Sequence, residues 1–107
     1  MRVIVIAMIV ASASVAHAGE LCEPNARFRG AVVDLDVKGA EIHDVYRLLS
    51  EVGHVNIVLP DDVTGKVTLR LQRVPWDQVA CTVAAVHRLV ISVDRNVLLV
   101  TKRPPAK

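Results

Sequence analysis

Two hydrophobic periods alternate along this chain. In "AVVDLDV", Val33, Leu35 and Val37 fall on one face and Asp34 and Asp36 on the other, the pattern of a half-buried strand. In "KGAEIHDVYRLLSEVGH" the period lengthens. Ile42, Val45, Tyr46, Leu49 and Val52 recur at helical spacing, while Glu41, Asp44, Arg47, Ser50 and Glu51 occupy much of the remaining surface. This predicts an amphipathic helix from near Ala40 to Gly53, with Glu41 and Asp44 placed to suit its dipole. "VNIVL" predicts a short strand through Asn56, "PDDVTG" a turn ending on Gly65, and "KVTLRLQ" a strand with Val67, Leu69 and Leu71 inward. Pro75 fits the first position of a second helix, where its missing N–H needs no partner. The stripe of that helix runs through Trp76, Val79, Ala80 and Val83 to Val86 or His87. "LVISV" and "VLLVT" predict a closing hairpin through Asp94-Arg95-Asn96, with Asn96 expected to be left-handed.

The order β-α-β-β-α-β-β describes a small α+β domain over residues 31–102, its two helices packed between small mixed β-sheets. Every element has an apolar stripe, enough for one core, and no large insertion offers a deep substrate cleft. Residues 19–30, "GELCEPNARFRG", are polar and broken by Pro24 and Gly30, and predict an irregular leader. Residues 103–107 predict a disordered tail.

The first eighteen residues change the picture. Arg2 precedes the apolar run Val3–Val10, and Ala16-His17-Ala18 has the small-x-small form that precedes a signal-peptidase cut. We read residues 1–18 as a signal peptide cleaved before Gly19. The strictly apolar run is roughly half of the ~20 residues that a spanning helix needs. Losing Arg2 leaves twelve Lys and Arg against eleven Asp and Glu. That balance gives no electrostatic case for nucleic acid, and Phe28, Tyr46 and Trp76 alone make no stacking platform for bases. Export implies an oxidising compartment, where the even pair Cys22 and Cys81 most simply forms one disulfide, two unpaired thiols being the alternative. The absence of C-x-x-C argues against a redox-active pair.

Catalytic and metal-binding constellations do not assemble. His43, His54 and His87 lack partners at zinc-site spacing. Ser50 and Ser92 sit in no nucleophile-elbow sequence. Cys81 and His87, six residues apart, lie roughly 240° around the axis of one helix and so point apart. Asp61-Asp62 suits a turn, and Asp34 with Asp36 an exposed strand face. Gly39, Gly53 and Gly65 are isolated and build no phosphate loop. The expectation is a non-enzyme without metal, cofactor or small-molecule substrate.

Several motifs then occur in order. Asp44-Val45-Tyr46-Arg47-Leu48-Leu49 has the form D-V-x-x-L-L. Gly53-His54-Val55-Asn56-Ile57-Val58 approximates G-x-N-[IV]-V with one residue added. Asp61 to Leu69 fits D-x-V-x-G-K-V-T-L, and Val74-Pro75-Trp76-Asp77-Gln78 reads V-P-W-D-Q. Over residues 31–102 the chain resembles the secretin and TonB short N-terminal domain, nearest to the version in type IV pilus secretins. The resemblance makes Gly53, Asn56, Gly65, Pro75, Trp76 and Asp77 structural motif positions. It implies a binding role in the periplasm, associated with the outer membrane, with envelope proteins of secretin, pilus or secretion machinery as partners. It leaves association between copies open. A signalling domain for an anti-sigma-type regulator and the product of a truncated secretin gene are the alternatives.

Two further expectations concern surfaces. Strand addition at an open sheet edge would suit such a module, with Val97, Leu98, Leu99, Val100 and Thr101 as the candidate edge. Cys81 lies about 140° from Trp76 on the helix, off the apolar stripe. The matching position of the family is usually polar, which makes this thiol reachable. Cys22 is expected to bridge to it and strap the leader across the second helix.

Overall fold

The computed structural model describes residues 19–23 and 25–104; the signal-peptide reading and the last three residues of the tail lie outside them. Six strands and two helices follow in the order β1 (Gly19–Glu20), β2 (Val32–Glu41), α1 (Ile42–Gly53), β3 (Asn56–Val58), β4 (Lys66–Pro75), α2 (Trp76–His87), β5 (Leu89–Asp94) and β6 (Val97–Lys102). They form an α+β domain. One sheet has four strands in the order β1-β5-β6-β3, and the other is the pair β2-β4. β3 runs parallel to β6, and the remaining pairings are antiparallel. The two helices pack on each other between the sheets.

The helical stripes account for this layering. Ile42, Val45, Tyr46 and Leu49 of α1 are buried, as are Trp76, Val79, Ala80, Val83 and Ala84 of α2. Leu35 and Val67 close the core from the two-stranded sheet, and Ile91, Leu98 and Val100 from the other. Val63, inside the turn segment, is also buried. Its carbonyl accepts a hydrogen bond from His43 Nε2 at 2.8 Å, and His43 is half-buried. Val86, a candidate for the stripe, is instead 73% exposed.

The helix ends differ slightly from expectation. α1 starts at Ile42, because β2 runs on to Glu41; its first amide donates to Gly65 O at 3.0 Å. Gly65 has φ +146°, which glycine alone tolerates readily, and a Cβ there would meet the His87 ring at 3.0 Å. Pro75 is extended (ψ 142°) and stands just before α2 rather than within it. The closing hairpin turns on two residues, Arg95 and Asn96, and its left-handed residue is Arg95. Asn96 O is used elsewhere, accepting the Asn56 amide at 2.9 Å.

The pair β2-β4 contains two register shifts. At one, Lys38 and Gly39 oppose Thr68; at the other, Gln72 and Arg73 oppose Asp34. Gly39 and Arg73 both have positive φ, as bulge residues do. Each freed amide is caught by the opposing side chain: Gly39 N–H by Thr68 Oγ1 and Arg73 N–H by Asp34 Oδ1, both at 2.8 Å.

Tyr46, the one tyrosine of the chain, donates its hydroxyl to Ala80 O at 2.8 Å and ties α1 to α2. Burial raises its pKa above the ordinary value of 10. The folded protein therefore keeps a proton that the unfolded chain releases above pH 10. This contribution to stability is fully present below about pH 10 and is lost as pH climbs further. Urea midpoints should fall more steeply between pH 9 and 11 for the wild type than for Tyr46→Phe. At neutral pH that variant should lose about 1 kcal/mol with the hydrogen bond.

Candidate interaction site

The leader does not hang free of the domain. Gly19 and Glu20 pair with Val93 and Ser92 as strand β1, and Leu21 N–H donates to Ile91 O at 2.9 Å. An irregular segment was expected; backbone pairing to β5 overrides its polar composition. Cys22 then bonds to Cys81 in a disulfide, and the two Cα atoms are 5.5 Å apart. The strap continues to the start of α2, where Gly30 N–H donates to Asp77 Oδ1 at 3.3 Å and Trp76 N–H to Ala31 O at 2.9 Å. The carboxylate of Asp77, in the first turn of α2, thus holds the leader.

Trp76 is the hub of this corner. A Cβ on Gly30 would fall 2.3 Å from indole Cδ1, and one on Gly53 would fall 2.4 Å from Cε2. Two glycines therefore grip the ring, one from the strap and one from the end of α1. Gly53, Pro75, Trp76 and Asp77 come together at this corner, whereas Gly65 lies against His87 at the far end of α2 and Asn56 starts β3. Gly30 escaped the sequence reading because it sits in a polar, turn-like stretch with no periodicity.

The expected edge is placed differently. Val97–Thr101 belong to β6, an inner strand with β5 on one side and, along Val97–Leu99, β3 on the other. The cause is the parallel pairing of β3, a long-range contact that no local pattern announces. Among the described residues, the open edges belong to β1, β3 and the two strands of the small sheet. The small sheet is bulged, and its outward positions are charged or polar at Asp34, Asp36, Lys38 and Arg70, features that discourage pairing. Glu41 and Lys66 close its end with an ion pair at 2.6 Å, and the lysine lowers the pKa of this exposed carboxyl.

β3 has neither bulge nor charge. The Asn56 amide points to Asn96, so the N–H and C=O of Ile57 face away from β6 by strand alternation. Along this side lies a shallow groove between β3 and α1, lined by His43, Tyr46, Arg47, Ser50, Ile57 and Leu59. Among the described residues, no group of three or more His, Cys, Asp or Glu is placed to hold a metal ion. The geometry offers a strand-accepting edge beside a groove with one guanidinium.

No family model matches the chain. Over 79 residues it is 34% identical to the type IV pilus biogenesis and competence protein PilQ of Neisseria gonorrhoeae, covering 74% of this chain and 11% of that protein. Over 76 residues it is 36% identical to the fimbrial assembly protein PilQ of Pseudomonas aeruginosa, covering 71% of this chain and 11% of the relative. The chain thus spans about a tenth of the length of the curated relatives it matches. Among solved structures it is similar to the N0 domain of the type II secretin from enterotoxigenic Escherichia coli. The TM-score is 0.60 at 17% identity, over 67% of this chain and 95% of that one.

Proposed function

The chain is a relative of the type IV pilus secretins with the fold of a secretin N0 domain, and from that premise we propose that it is a non-catalytic protein–protein interaction module. It works in the periplasm as an accessory or component of an outer-membrane secretin complex of type IV pilus or type II kind. The folded unit takes in the leader, and residues 1–18 are removed on export. The observation that carries the reading is the 34% identity to PilQ across 74% of the chain, joined to the matching fold.

The mode of docking is strand addition at β3. An extended segment of the partner pairs with the outward amide and carbonyl of Ile57, and its side chains settle into the groove beside α1. Main-chain bonds give affinity there, and Arg47 with His43 gives a preference among side chains. The test is co-purification of envelope proteins with the tagged, exported chain after mild crosslinking. Components of a secretin or pilus apparatus should be recovered with it; recovery of the chain without them counts against the reading.

A further inference from the structure

The leader covers a strand that is itself well suited to pair with another chain. β5 reads Leu-Val-Ile-Ser-Val-Asp and lacks the proline, bulge and charges that discourage pairing at natural edges, Asp94 at its end excepted. β6 takes one side of it. On the other side Ile91 and Val93 turn their N–H and C=O outward, by the alternation that sends Leu21 N–H to Ile91 O and sets Gly19 opposite Val93. Among the described residues, only Gly19, Glu20 and Leu21 pair along this side.

So short a strand does not hold itself. Fixing the backbone of residues 19–22 costs more than their few hydrogen bonds contribute. The bridge from Cys22 to Cys81 keeps them in place. The core does not depend on them: its buried residues run from Leu35 to Val100, and of residues 19–22 only Leu21 and Cys22 pack on it, both half-buried. The far end of the strap is anchored separately, through Gly30 N–H on Asp77 and Trp76 N–H on Ala31 O. The bridge is also within reach of solvent. Cys81 is half-buried like Cys22, and a groove of about 420 Å³ opens on both, lined also by Phe28, Gln78 and Val86.

We propose that the bridge is a latch on β5: opened by a dithiol, it lets residues 19–22 leave, and the freed edge pairs with the same edge of a second copy. Opening is thiol–disulfide exchange. One thiolate of the dithiol attacks a sulfur of the bridge and forms a mixed disulfide, and the displaced cysteine takes a proton. The second thiol of the dithiol loses its proton, closes the dithiol into a disulfide and releases the other cysteine as a thiol. Two electrons pass to the chain. The bridge is acted upon and needs no C-x-x-C of its own.

A second copy fits because the freed groups complement themselves. With two β5 strands antiparallel about a two-fold axis at Ser92, Ile91 of one copy lies opposite Val93 of the other, and each such pair exchanges both backbone bonds. Both side chains point to the core side, so β-branched residues meet across the junction. Ser92 faces Ser92 of the second copy on the outer side. The two sheets then run on as one. β3 lies at the far edge of each and stays open, so this pairing stands apart from the docking proposed above.

Sedimentation velocity tests this from about 10 µM to about 1 mM, the range over which a weak pair fills. The oxidised chain should keep one mass throughout. With dithiothreitol the mass should rise towards twice that value, while the circular dichroism stays that of a folded domain. Cys22→Ser with Cys81→Ser should pair without reductant. Ser92→Lys sets two lysines face to face at the axis and should keep the reduced chain single. In the double serine background, Ser92→Cys should crosslink to a dimer on mild oxidation. Thr101→Cys, on the same face one strand further from the axis, should not. A reduced chain that stays single at the highest concentration overturns the proposal, and so does one that unfolds. An oxidised chain that pairs equally, a pairing indifferent to Ser92→Lys, or crosslinking at position 101 in place of 92 overturns it as well.

Discussion

Replacing Cys22 and Cys81 together by serine should lower the stability of the domain by about 4 kcal/mol. The bridge spans 59 residues in sequence, and closing a loop of that length in the unfolded chain corresponds to roughly this amount. Small domains have only ~5–15 kcal/mol in total, so the loss is a large fraction of the whole. It should also be uneven in space. β1 has two residues, and without the disulfide it must hold the edge of β5 by those pairings and the Leu21 bond. Amide exchange of Leu21 and of the leader should therefore accelerate more than that of β6. Urea unfolding of the oxidised wild type and the double serine variant measures the first effect. A loss under about 1 kcal/mol would mean that the strap is not a stabilising part of the fold.

Gly53→Ala should destabilise the protein by about 2–3 kcal/mol, against the usual direction for a helical glycine. Helix propensity alone favours alanine by about 1 kcal/mol. Packing decides the sign: the new methyl would stand 2.4 Å from Cε2 of Trp76, and the ring has Gly30 at its other edge. The ring cannot slide away without displacing the strap. Adding Trp76→Leu should remove most of the penalty that Gly53→Ala causes on its own. A double-mutant cycle on thermal or urea unfolding measures this coupling. Additive losses would show that the glycine and the indole do not conflict.

These effects mark the boundary of what the residue pattern makes legible. Period and burial were readable wherever they were local. Ile42, Val45, Tyr46 and Leu49 repeat as one helical face, and Val33, Leu35 and Val37 as one strand face, and both sit as expected. The bridge between Cys22 and Cys81 followed from export, an even count and the angle of Cys81 around α2. What escaped depends on partners distant in sequence. β3 joins β6 in parallel, making Val97–Thr101 an inner strand instead of an edge. β1 has too few residues to show a period. The bulges at Gly39 and Arg73 arise from the register between β2 and β4, which neither strand states alone. The groove at Arg47 and Ser50 was unseen for the same reason, since it exists only once β3 lies beside α1.

Photo-crosslinking in living cells tests the central claim most directly, with the reactive side chain placed at Arg47 in the groove beside β3. Position 36 on the charged sheet serves as a control. An interaction module of the secretin machinery should form a discrete adduct from position 47 with another envelope protein of a secretin or pilus apparatus, and little from position 36. An exported, folded chain that gives no such adduct from position 47 would contradict the account.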